Sequence, residues 1–320
     1  MRIAIVGAGG VGGYCSGLLA RSGHDVQVLA RGENLAVLQR RGVEVRSPDE
    51  CFVVRVKASD DVRQFEPVDW AIIAVKTYSL SEIAPAAQHL ANRGALILPL
   101  LNGVDVADRL IEFGVPKQNV LGGLTTISAL RTAPGIFERH AKVQQIVLGE
   151  LDSAAPTEAD ARTRTERVRK MAEALRSAGI ETEISSDVRA ALWKKFAFIA
   201  PVAAACGLAR SPIGPIRGMP LGRLLLERGI REVIAVGRAH GISLSEEQEV
   251  GRILEFCDSL PETNKPSLLR DLEQGLTTEI EDLSGAVSRM GRLLGIETPI
   301  HDTAAAAISA AAAQSQRGKA

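Results

Sequence analysis

This chain of 320 residues has only four cysteines, Cys15, Cys51, Cys206 and Cys257, with no CxxC pair and no histidine at metal-ligand spacing from them. That pattern suggests neither a zinc site nor a disulfide framework, and it fits a reduced, cytoplasmic compartment. An excess of charge of one sign is also missing, because 38 Lys and Arg balance 38 Asp and Glu. Zero net charge argues against nucleic acid or an anionic membrane surface as the main partner, while leaving room for a local basic pocket. The N-terminus does not read as a signal peptide, since its apolar run is short and passes straight into glycines. No stretch reads as long enough to span a bilayer; the Ala-rich end, Ala304 to Ala313, reads as a helix that frays from Gln314 onward. What is present, 46% hydrophobic and 24% charged residues, allows a sizeable core, and the length suggests two domains.

Arg2 to Val6 is an apolar run that reads as a buried strand, followed by Gly7, Ala8, Gly9, Gly10, Val11 and Gly12, then by helical periodicity from Val11 to Arg21. A strand leading through GxGxxG into a helix is the dinucleotide-binding fingerprint. Gly7 allows the tight turn, Gly9 lets backbone approach a pyrophosphate, and Gly12 lets the helix pack closely on the sheet. The helix N-terminus then favours the phosphates through its free amides and its dipole. Gly23 closes this helix before a second strand, Asp25 to Leu29. An NAD site usually has Asp or Glu at the end of that strand to accept from the ribose hydroxyls. This chain has Arg31 there and no carboxylate, so the expected cofactor is NADP, its 2′-phosphate met by a planar fork of donors.

A helix is expected from about Asn34 to Arg41, then two strands, Val43 to Arg46 and Phe52 to Lys57, extending the sheet. Asp69 to Val75 and Ala95 to Leu100 read as buried parallel strands on either side of a helix, Ser79 to Ala91. Ligands of open α/β sheets bind beyond the carboxyl ends of strands, which places Lys76 and Asn102 to face cofactor or substrate. Asn119 to Ser128, Gln144 to Leu148 and Glu181 to Ser185 read as further strands, with a charged helix from Pro156 to Ala178. From Asp187 onward only helical periodicity remains. The expected architecture is therefore α/β, an N-terminal Rossmann dinucleotide-binding domain over residues 1–186 followed by an all-α domain over 187–320. The first helix of the second half should be capped by Ser186 or Asp187 and kinked at Pro201, and Lys195, Ile199 and Ala203 share one of its faces. Ser245 with Gln248 matches a capping box.

The chain resembles the ketopantoate reductases, the 2-dehydropantoate 2-reductase family, in GxGxxG, Arg31, Val75-Lys76, Asn102-Gly103, Trp193-x-Lys195, and Ser267 ahead of Thr278-Glu279. The likeness runs from Arg2 to about Pro299. It implies that Lys195 is the general acid in reduction of a 2-oxo acid by NADPH and that Glu279 hydrogen-bonds and orients the substrate. It further implies that Ser267 contacts the substrate carboxylate, that Asn102 lies between substrate and cofactor, and that Lys76 lies near the nicotinamide end. An ammonium suits the role, since hydride addition to a carbonyl builds alkoxide charge that it can stabilise and neutralise. The family pattern has asparagines four and eight residues after the lysine; this chain has Ile199 and Ala203. Loss of both amides points to a more apolar substrate as the alternative to 2-dehydropantoate. A non-catalytic NADPH sensor is the alternative of another class, although a pure binder has no need of a proton donor. None of the five histidines is paired by sequence with a carboxylate orienter, which weighs against a histidine-based dehydrogenase. The expected site is a cleft between the domains, and a homodimer is an open expectation.

Overall fold

The computed structural model describes residues 1–140, 142–151 and 158–317. By its contacts the chain divides into two compact units: Met1–Leu101 with Asp105–Val188, and Asn102–Val104 with Arg189–Ala320.

The first unit runs β1 (Arg2–Val6), α1 (Gly10–Arg21), β2 (Asp25–Leu29), α2 (Gly32–Arg41), β3 (Val43–Arg46), β4 (Cys51–Val54), β5 (Lys57–Ser59), β6 (Trp70–Ile73), α3 (Leu80–Asn92) and β7 (Leu96–Pro99). It continues with α4 (Val106–Glu112), β8 (Leu121–Thr125), β9 (Ala129–Ala133), β10 (Ile136–Arg139), β11 (Gln145–Glu150), α5 (Glu158–Ser177) and β12 (Glu181–Ile184). Five parallel strands in the order β5-β2-β1-β6-β7 form the main sheet. Strands β6 and β7 are apolar and buried throughout because both faces of the sheet are covered there. Ile3, Ile5, Val28, Ile72 and Leu98 enter the core that holds Leu18 and Leu19 of α1. Alternating with them, Ala4, Val6, Ala71, Ile73 and Ile97 enter the core that holds Leu80, Ile83 and Ala87 of α3. Pro99, which has no N–H for a ladder, ends its strand.

Val43–Arg46 and Cys51–Val54 do not extend this sheet, contrary to the sequence expectation; only Lys57–Ser59 pairs with β2. The other two belong to a four-stranded sheet, β4-β3-β10-β9, built partly from a hairpin over Ala129–Arg139 that periodicity does not reveal. The reason lies in α1. A Cβ on Gly13 would stand 2.1 Å from the Phe137 ring of β10, and one on Gly17 would stand 2.3 Å from Val45 of β3. These two glycines thus seat the small sheet against one side of α1, while a Cβ on Gly12 would strike the Gly7 carbonyl at 2.0 Å. The third sheet, β12-β11-β8, is covered by α5, which sends Val168, Met171, Ala172 and Leu175 inward at helical spacing. The strand expected from Asn119 starts at Leu121 after a short turn, and Pro156, the expected start of α5, lies outside the described residues.

The second unit is helical: α6 (Val188–Ala209), α7 (Ile213–Gly218), α8 (Pro220–Ala239), α9 (Glu246–Ser259), α10 (Ser267–Glu273), α11 (Ser284–Leu294) and α12 (Pro299–Arg317). By length and composition α6 could cross a membrane, which corrects the reading that no stretch is long enough; 61% of its most apolar window is buried inside the protein. It runs on through Pro201 as one helix. Gly237 of α8 meets Trp193, and Gly229, earlier in α8, meets Pro201, so α6 and α8 pack antiparallel with backbone close to side chain at both points. Phe198 meets Phe256 of α9 edge-on at 4.9 Å. Gly207 receives Leu268 of α10 and Ile308 of α12. The buried Glu232 carboxylate of α8 caps α12 by accepting from the backbone N–H groups of Ile300 and His301, at 2.9 and 3.1 Å. Ser245 occupies the N-cap of α9 but makes no side-chain capping bond, so the capping box expected there does not form. Helix α12 continues past Gln314 to Arg317, further than the fraying expected.

Packing of α1 predicts that Gly13→Ala destabilises the protein by about 1–3 kcal/mol in urea unfolding through overpacking, although alanine is the better helix former. Adding Phe137→Leu to Gly13→Ala should recover part of the loss; no recovery in the double variant, relative to the two single variants, would show that the added methyl does not act against Phe137.

Candidate functional site

In the first unit the glycine turn leaves β1 with Gly7 at φ +104°, where a Cβ would meet Val75 and the Ala74 carbonyl. Gly9 is the N-cap of α1, and the space beyond its Cα is open except for the Ala74 oxygen, 3.7 Å from where a Cβ would be. Gly10 is covered by β9, since a Cβ there would stand 2.0 Å from the Ala129 carbonyl. Ala8 is buried and Val11 packs against the α1 core. The turn therefore has no room for side chains along the strand and the hairpin, and is bare at Gly9, as a cradle for a pyrophosphate requires.

Arg31 is the N-cap residue of α2, just past β2. Its guanidinium forms an ion pair with Glu82 in the first turn of α3, with the two side chains 61% and 56% exposed. The local sequence shows no carboxylate at this place; Glu82, distant in the chain, supplies one through the fold. Such an exposed pair is worth about 0–1 kcal/mol, so it leaves Arg31 free to exchange partners at little cost. Lys76, half-buried, follows β6 and caps the short turn Thr77–Ser79.

The second unit brings three of the expected residues together. Asn102–Val104, which follow β7 in the chain, group with the helices rather than with the sheet. Lys195 Nζ donates to Asn102 Oδ1 at 3.2 Å, and Asn102 Nδ2 donates to Glu279 Oε2 at 3.5 Å. One amide thus faces an ammonium with its oxygen and a carboxylate with its nitrogen, the only orientation in which both contacts are favourable. Burial pushes the Lys195 ammonium down to about 8, and the negative charge of Glu279 opposes that fall. Glu279 itself is 4% exposed, on the turn leading into Ile280–Asp282. Desolvation outweighs the neighbouring charge, which leaves a lysine able to exchange a proton near neutral pH.

The face of α6 that carries Lys195 continues through Ile199, half-buried, and Ala203, 2% exposed. No amide stands on it; it ends at Gly207 against Leu268. Ser267 opens α10 beside that leucine. Sequence reading did not single out Glu82 or Asn34. The buried Asn34 side chain binds both Ala8 of the glycine turn and Gly135 of the hairpin. A polar residue in an otherwise amphipathic helix was its only signal.

The family profile "Ketopantoate reductase PanE/ApbA" matches residues 3–153, and its C-terminal counterpart matches residues 187–312. The chain belongs to the ketopantoate reductase family. It is 32% identical to a 2-dehydropantoate 2-reductase of Halobacterium salinarum over 307 residues, covering 95% of this chain and 97% of that one. Among solved structures, a 2-dehydropantoate 2-reductase from Geobacter metallireducens superposes with a TM-score of 0.87 at 29% identity, covering 97% of this chain and all of that one. A D-mandelate dehydrogenase held with NADH and anilino(oxo)acetate has a TM-score of 0.87 at 21% identity over 99% of both chains, a likeness of fold. The chain is thus an oxidoreductase of a family that acts on a small molecule.

Titration of Lys195 tests the electrostatics directly. NMR of the Lys195 side chain should give a pKa of about 8, and Glu279→Gln should lower it, because the charge that favours the ammonium is gone. An unchanged or higher value in the variant would mean that Glu279 does not act on the lysine.

Proposed function

We propose that the protein reduces a 2-oxo acid to a 2-hydroxy acid with NADPH, 2-dehydropantoate to pantoate being the first candidate reaction. The observation that carries this reading is the partly buried ammonium of Lys195, held by Asn102 and biased by Glu279, in a chain that also has a bare glycine turn at a helix N-terminus. The residues of the turn, Gly7 to Gly12, would hold the pyrophosphate, Arg31 would exchange Glu82 for the 2′-phosphate, and Lys76 and Asn102 would lie toward the nicotinamide. When bound, the dinucleotide supplies the hydride.

Lys195 keeps its proton on Nζ until negative charge develops on the substrate oxygen, then transfers it there. Its ammonium form predominates below pH 8, so the lysine enters the reaction as an acid and is reprotonated from solvent afterwards. Asn102 fixes the direction of the Nζ–H bonds, and Glu279 keeps the lysine from losing its proton to burial alone. Ser267 would receive the substrate carboxylate.

The apolar face of α6 favours a second reading, in which the chemistry is the same but the substrate has a more apolar tail. A half-buried isoleucine and a buried alanine offer no hydrogen bond at positions 199 and 203. A wall of that kind prefers a hydrocarbon by only modest factors but gives up strong discrimination for a hydroxyl.

NADPH oxidation against a panel of 2-oxo acids, 2-dehydropantoate and longer apolar analogues included and with NADH as control, distinguishes the two. Fast turnover of 2-dehydropantoate supports the first, and preference for an apolar analogue that Ile199→Asn reverses supports the second. In either case Lys195→Ala should lose about 10²–10⁴-fold in kcat while NADPH affinity is retained. For the wild type, kcat/KM should be flat below pH 8 and fall about tenfold per unit above it, as the acid form of the lysine is depleted. Tight NADPH binding with no turnover of any carbonyl compound would point instead to a sensor.

A further inference from the structure

We propose that Asn34 is a cofactor-positioning residue, which aims the Gly9 amide of the glycine turn by holding the carbonyl on the other side of the same peptide. The inference rests on the reading of the turn as the pyrophosphate site. Asn34 lies in the first turn of α2 and is 5% exposed. Its Nδ2 donates to the Ala8 carbonyl at 3.2 Å, and its Oδ1 accepts from the Gly135 amide at 2.8 Å. The side chain is therefore satisfied at both ends in one orientation; flipping it would set donor against donor and acceptor against acceptor.

The Ala8 carbonyl and the Gly9 N–H belong to one peptide group. No peptide in the described chain is cis, so in this plane the C=O and the N–H point in opposite directions. A hydrogen bond that draws the Ala8 oxygen toward α2 thereby turns the Gly9 N–H away from α2, toward the open side of the turn. Gly9 is the N-cap of α1, so this N–H precedes the free amides of the helix and adds to them. A glycine-flanked peptide has a low barrier to reorientation, because no Cβ on Gly9 restrains it. The Asn34 donor adds a directional restraint on this peptide.

The other end of the amide closes a circuit. Gly135, at φ +75°, is the turn of the β9–β10 hairpin, and its carbonyl accepts from Glu44 of β3 at 2.8 Å. The hairpin lies over Gly10 through the Ala129 carbonyl. Asn34 thus holds the glycine turn from below at Ala8 and fixes the strand that bounds it at Gly10. Neither role touches the nicotinamide or the substrate, so the effect falls on dinucleotide affinity and leaves the chemical step alone.

Nicotinamide fluorescence titrations of the full chain with NADPH and with NADH test this, with Asn34→Ala, which cuts both bonds, and Asn34→Asp, which keeps the acceptor for Gly135 but loses the donor to Ala8. Both variants should bind both dinucleotides about tenfold more weakly, by the same factor for each, since the pyrophosphate is common to them; tenfold is about 1.4 kcal/mol. With a substrate that is turned over, KM for the cofactor should rise and kcat at saturation should stay within about twofold. Affinities within twofold of the wild type in Asn34→Asp would overturn the proposal, as would a loss confined to NADPH, which would place the effect at the neighbouring Arg31. Should Asn34→Ala not fold, Asn34→Asp carries the comparison. Failure of the wild type to bind either dinucleotide would sink the reading of the glycine turn itself along with the proposal.

Discussion

Helix α1 is packed between two sheets at backbone distance, and the first unit depends on that contact. Gly12 meets the Gly7 carbonyl on the side of the main sheet; Gly10, Gly13 and Gly17 meet Ala129, Phe137 and Val45 of the smaller one. Each glycine inside a helix costs about 1 kcal/mol relative to alanine. That loss is offset by the apolar groups brought into contact, of which the fully buried Phe137, Val43 and Val45 alone are each worth about 1.5–3 kcal/mol. The same glycines that weaken α1 as a helix let it serve as the shared wall of two sheets. Its N-terminus consequently emerges with a strand on each side, and that is the geometry a phosphate-binding turn needs.

In the second unit the corresponding constraint is electrostatic. Lys195 is on the core helix α6, whose neighbours Trp193, Phe196 and Ala197 are buried. A lysine held so close to an apolar core loses hydration, which lowers its proton affinity to about 8 despite the adjacent carboxylate. Without the Glu279 charge the same burial would lower it further. The proton affinity of Lys195 thus results from two opposed effects, a larger one from burial and a smaller one from the nearby Glu279 carboxylate. A proton affinity close to the working pH suits a general acid, the role proposed for Lys195.

The smaller sheet and the residues it positions illustrate what could not be read locally. Pro134 and Gly135 are a recognisable turn, yet the flanking segments Ala129–Ala133 and Ile136–Arg139 carry charges and no regular alternation, so their pairing emerges only when β3 and α1 supply partners. Asn34 had no distinctive spacing, because the groups it binds, Ala8 and Gly135, lie 26 and 101 residues away. Glu82 likewise reaches Arg31 across 51 residues. At Ser245 the sequence pattern of a capping box is present, but the helix starts without the side-chain bond.

What the sequence by itself determined is the part whose cause is local. The strand, glycine turn and helix at the N-terminus, the apolar strands β6 and β7, and the change to an all-helical second half follow from periodicity and from the steric freedom of glycine within a few residues. The likeness to a reductase family also lies in short motifs, and it named Lys195, Asn102 and Glu279. Only the tertiary structure decided that Asn102 leaves the sheet to join the helical unit and bridge an ammonium to a carboxylate. It also decided that Arg31 meets a carboxylate, and that a buried asparagine holds the glycine turn. Hydrogen bonds and desolvation act between atoms a few ångströms apart, and sequence separation carries almost no information about which distant residues the packing of α1 and α6 will bring within that range.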